Sequence, residues 1–133
     1  MEPQEPPRLR QRPDERFAGP QHPFDLNAVA THLRQEVRSG VAGHRQESLY
    51  KHGPTSLAFF IFGANTRLAP HRTNGTVIIQ VLKGKLTVNA EGQANELAAG
   101  HLIVLQANVQ HEVVALEESE MLLTVHLEAR PSA

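Results

Sequence analysis

The chain has 133 residues, 40% apolar and 20% charged, with a formal net charge of -1. That length suits a single globular domain with a core of its own, and the near-neutral balance argues against nucleic acid or an anionic membrane as a partner. No cysteine is present, which excludes disulfides and thiolate metal sites and suits a cytoplasmic location. Eight histidines stand out for this length.

Residues 1–23 hold six of the nine prolines, from Pro3 to Pro23. Their locked φ and missing donors predict an extended or disordered tail. Arg8, Arg10, Arg12 and Arg16 are balanced there by Glu2, Glu5, Asp14 and Glu15, so a basic arm is not expected. The rest, 24–133, reads as one domain. Its only strong helical pattern spans 25–39: Asp25 can cap it, Leu26, Val29, Ala30, Leu33 and Val37 recur at helical spacing, and Gly40 can end it. Such a stripe must lie on other apolar surface, here the outside of a β-core.

From residue 44 to 127 the pattern changes to short apolar runs separated by turn residues. Strands are predicted near 45–51, 56–63, 76–83, 85–89, 94–97, 102–105, 111–116 and 121–127. The dividers include "GP" at 53–54, "KGK" at 83–85 and "AAG" at 98–100. This spacing predicts an all-β sandwich or barrel preceded by one helix. Runs such as "SLAFFIF" and "TVIIQVL" are apolar at both parities, which implies burial on two sides, by a helix or by a second subunit.

Two segments carry a resemblance. "PHRTNGTVIIQVLKGKLTV" ends in a glycine turn at Gly84, and "GHLIVLQANVQHEVVAL" starts at a second, Gly100. In order and spacing they resemble the two signature segments of the cupins, double-stranded β-helix (jelly-roll) barrels, over roughly residues 55–127. Counted from Gly84, the first ligand position of that family falls on His71, the second on Thr73 and the carboxylate on Val77; the ligand of the second segment falls on His111. The resemblance therefore implies the cupin fold and a metal-ligand motif only half matched. It also implies a homodimer, since similar cupins commonly pair through barrel strands.

On one continuous strand His71, Thr73, Val77, Ile79 and Val81 would share a face, with His111 and Val113 on the strand opposite. These seven residues are the expected lining of a pocket, apolar apart from one polar end. Two imidazoles hold Zn²⁺ or Fe²⁺ poorly, because such sites use three protein ligands, often with a carboxylate. His126 could supply a third nitrogen if the last strand turned it inward; a surface position is the competing expectation. His101 is expected in a turn, and His44 and His52 show no site-like spacing. No P-loop, nucleophile elbow or dinucleotide fingerprint occurs, and no catalytic residue is assigned. The reading is a cupin that binds a small neutral or amphipathic ligand, requiring no cofactor, with a weakly held divalent metal (Zn, Mn, Fe or Ni) on His71 and His111 as the most that is expected. The alternative is a metal-dependent dioxygenase or isomerase with an unusual histidine-based ligand set.

Overall fold

The computed structural model describes residues 19–36 and 43–129. Helix α1, Leu26–Gln35, is followed by nine strands: β1 His44–His52, β2 Thr55–Phe62, β3 Arg67–His71, β4 Gly75–Lys83, β5 Lys85–Ala90, β6 Gln93–Ala98, β7 Leu102–Leu105, β8 His111–Ala115 and β9 Ser119–Leu127. They form a five-stranded sheet in the order β1-β2-β9-β4-β7 and a four-stranded sheet in the order β3-β8-β5-β6. Every pairing is antiparallel. Apart from the β1–β2 and β5–β6 hairpins, neighbours in each sheet are not consecutive in the chain, as in a jelly-roll barrel.

The strand that sequence periodicity missed is β3. It is an edge strand, mostly exposed, and contains Pro70. A proline cannot donate to a ladder and is tolerated only at such an edge. The pairing of β3 with β8 shifts register between Leu68 and His71. His71 therefore ends one strand, and Val77 belongs to another, across the loop that holds Thr73. The single continuous face expected for 71, 73, 77, 79 and 81 does not exist.

Alternation within β4 works as expected beyond that loop. Val77, Ile79 and Val81 are buried between the sheets with Phe60, Phe62 and Met121 from one side and Leu86, Val88 and Val113 from the other. The opposite parity of the five-stranded sheet meets the helix. Phe59 and Leu49 pack under Ala30 and Leu33, with Leu57, Ile61, Leu82 and Leu122 around them. The chain's own helix thus covers the second apolar face of "SLAFFIF", so that strand does not itself require a second subunit.

Asp25 caps α1, its side chain accepting from the Ala28 N–H at 3.1 Å. The extension to residue 39, Val37 and the Gly40 cap lie outside the described residues, as do residues 1–18 of the tail. Next to the helix, His22 packs on Tyr50 of β1 with ring centroids 5.3 Å apart. The helix is also tied by charge: Arg34 pairs with the buried Glu120 of β9, which Lys83 approaches at 3.8 Å.

Candidate functional site

The end of β3 and the start of β8 place His71 directly opposite His111. Their rings meet nearly edge to face, with centroids 4.3 Å apart. His111 is 3% exposed, whereas His71 is open to solvent. Each ring is oriented by the main chain two residues earlier: His71 Nδ1 lies 3.0 Å from the Ala69 carbonyl and His111 Nδ1 3.0 Å from the Val109 carbonyl. Burial pushes the His111 imidazole below the usual histidine range; the Val109 carbonyl opposes this and the neighbouring His71 adds to it. His111 is accordingly neutral at pH 7.

The pair lines a cavity of about 270 Å³ between the sheets. The five-stranded sheet contributes Phe60, Ile79, Met121 and Leu123, with Gln46 from β1; the four-stranded sheet contributes Leu68, Ala69 and Val113 beside the histidines. No charged side chain lines it. On the other side of His111 is a polar depression of about 260 Å³ bordered by Asn89, Glu91, Gln110 and Glu112. Asn89 and Glu112 bond to each other at 2.9 Å. They alternate with the core residues Val88, Ala90, His111 and Val113, so they face away from the barrel interior.

Of the seven expected pocket residues, His71, Ile79, His111 and Val113 meet at the cavity. Val77 and Val81 are packed core and do not line it. Thr73 sits in the loop after β3, where its carbonyl accepts from the Asn108 N–H at 2.8 Å. His126 does not join the pair. It shares the outward parity of Leu122 and Thr124, is exposed, and contacts Thr55 Oγ1 through Nδ1 at 3.0 Å. His101 holds its turn by accepting from the Ala98 N–H at 3.1 Å.

Sequence reasoning missed Gln46 and its neighbour His44. His44 Nε2 lies 3.2 Å from Gln46 Oε1, and its ring is 5.7 Å from that of Phe60. Their inward placement follows from the register of β1 on β2, which sets Gln46 against Phe60 and His44 against Phe62. Nothing in the polar sequence of β1 signals that register.

A family model described as a cupin domain matches residues 58–127, more than half of the chain. The chain belongs to the cupin family. Among solved structures, this cupin resembles a conserved protein of unknown function, SPY1581, from Streptococcus pyogenes, at 22% identity and a TM-score of 0.64, covering 74% of this chain and 86% of that one. An RmlC-like cupin from Shewanella frigidimarina matches at 18% identity and TM-score 0.63, covering 71% and 86%. Salicylate 1,2-dioxygenase from Pseudoaminobacter salicylatoxidans, in adducts with gentisate, matches at 15% identity and TM-score 0.68, covering 86% of this chain but only 40% of the enzyme. At these identities the likeness is one of fold. No curated protein matches the chain.

Cupins commonly hold a divalent metal, and the donor set of this one fits that role poorly. His71 and His111 offer two nitrogens. Among the described residues no group of three or more His, Asp or Glu side chains is arranged to hold an ion, and a catalytic site of this kind uses three protein ligands. No described helix is long and apolar enough to cross a membrane.

Proposed function

We propose that this cupin binds a small, uncharged, amphipathic molecule in the cavity between its sheets. The observation that carries the reading is the lining: apolar side chains from both sheets, one neutral buried histidine, and no charge. A carboxylate or phosphate there would lose its hydration without gaining a cation. The volume lies just below the roughly 300–1,000 Å³ of drug-sized sites. An apolar cavity of about 150 Å³ already takes benzene, so the cavity here suits one ring with a few substituents. Toluene and anisole should raise the thermal midpoint, by as much as about 2.7 kcal/mol of added stability at a hundredfold excess over Kd. Benzoate and a hexose phosphate should not. Preferential stabilisation by the charged probes would defeat the reading.

A second reading, a metal-dependent dioxygenase or isomerase, is favoured by the paired histidines, each with one nitrogen not engaged by the backbone. It would require further donors from solvent or substrate. Elemental analysis of tag-free protein separates the two: ligand binding predicts sub-stoichiometric Zn, Mn, Fe and Ni, and a stoichiometric metal that survives chelation would favour the enzyme. A homodimer belongs to the same proposal, with exposed Leu102 and Val104 of edge strand β7 as the apolar surface to be covered. A monomeric mass by light scattering at micromolar concentration would remove it.

A further inference from the structure

Both imidazoles of the pair are turned the same way. A carbonyl oxygen can only accept, so the contacts to Ala69 and Val109 place a hydrogen on Nδ1 of each ring, and on the neutral His111 ring that is its one N–H hydrogen. That leaves Nε2 of His111 as a bare acceptor. For His111 this nitrogen is on a side chain that is 97% buried in the cavity wall, and no described protein group hydrogen-bonds to it. A buried acceptor without a partner is costly, so the missing partner is expected to be a donor.

Resting on the reading of the cavity as a ligand site, we propose that it recognises a hydroxyl-bearing molecule, an uncharged alcohol or phenol, which donates its hydrogen to Nε2 of His111. The remaining surface selects against acceptors and charged donors. A carbonyl or ether oxygen would set one lone pair against another. An ammonium group would be buried with no carboxylate in the lining to neutralise it. Phe60, Ile79, Met121 and Val113 would hold the apolar body, with Met121 able to make a sulfur–aromatic contact. His71, exposed and touching the His111 ring, closes the polar end.

The test compares phenol with anisole, which has nearly the same shape but no hydroxyl hydrogen, by calorimetry and side-chain nitrogen-15 NMR on the full chain at pH 7.5. Phenol should bind about tenfold more tightly and shift the His111 Nε2 resonance, which in the free protein should lie in the unprotonated range. In His111→Phe the ratio of phenol to anisole affinity should fall to about one. The NMR measurement on the unaltered protein stands even if that variant fails to fold. Equal affinities of phenol and anisole, or a protonated Nε2 in the free protein, would each overturn the hydroxyl assignment while leaving the uncharged-ligand reading in place. Failure of phenol, anisole and toluene to bind at millimolar concentration would overturn both readings.

Discussion

Replacing Gly84 by alanine should destabilise the barrel by about 3–6 kcal/mol. Two effects combine in that figure. Gly84 has φ +85°, a conformation that costs an L-residue about 1–2 kcal/mol. A Cβ there would also collide with the Glu118 carbonyl and Ser119 Oγ, and would lie 2.8 Å from Ser119 Cα. Ser119 cannot yield freely: its hydroxyl accepts from the Lys85 N–H at 3.1 Å and lies 2.7 Å from the Glu117 carbonyl. Overpacking against such a neighbour costs about 1–3 kcal/mol, and each lost hydrogen bond about 1 kcal/mol more. Two other glycines separate the effects. Gly92 has φ +79° and open space around it, so Gly92→Ala should cost only the backbone penalty, about 1–2 kcal/mol. Gly75 has no positive φ, but a Cβ would meet Leu127 Cα at 2.7 Å and the His126 carbonyl carbon at 2.9 Å, so Gly75→Ala should cost about 1–3 kcal/mol from crowding alone. Urea unfolding is the assay. With a slope of about 2 kcal/mol per molar, the Gly84→Ala midpoint should fall by about 1.5–3 M. If it falls no further than that of Gly92→Ala, the close approach of the β4–β5 turn to Ser119 is not real.

The remaining predictions concern the site and the helix. His111 has a depressed pKa when folded, so its contribution to stability should be complete above the ordinary histidine value of about 6.5 and decline as pH falls from there toward the folded value, because the unfolded chain takes the proton first. Urea midpoints between pH 5 and 8 should therefore slope less in His111→Phe than in the parent, and parallel profiles would contradict this. Arg34→Ala should cost about 1–3 kcal/mol, less than for a fully buried pair because the guanidinium is 53% exposed, and its effect should be less than additive with Glu120→Gln in a double-mutant cycle; strict additivity would mean the pair is not coupled. Leu33→Ala should cost about 2–5 kcal/mol, since Leu33 is fully buried against the outer face of the five-stranded sheet, and a near-neutral result would show that the helix does not dock there.

What the sequence determined by itself is the barrel and its turns. Alternation in "TVIIQVLK" and the glycines at 84 and 100 are local signals: side chains alternate with period two wherever a strand is extended, and the left-handed turns at these positions favour glycine whatever surrounds them. The Asp25 cap and the apolar stripe of α1 were legible for the same reason. The partners of those surfaces were not. Only the folded chain decided that α1, rather than a second subunit, covers Phe59; that β3 runs through Pro70 at an exposed edge; and that the register of β1 brings Gln46 to the cavity. The site shows the difference most sharply. His71 and His111 could be picked out from family spacing, but Thr73, Val77 and His126 could be placed only once the break between β3 and β4 and the outward parity of the end of β9 were known. Pairing between strands forty residues apart depends on which long-range contacts win after the chain collapses, and no local run of residues encodes that choice.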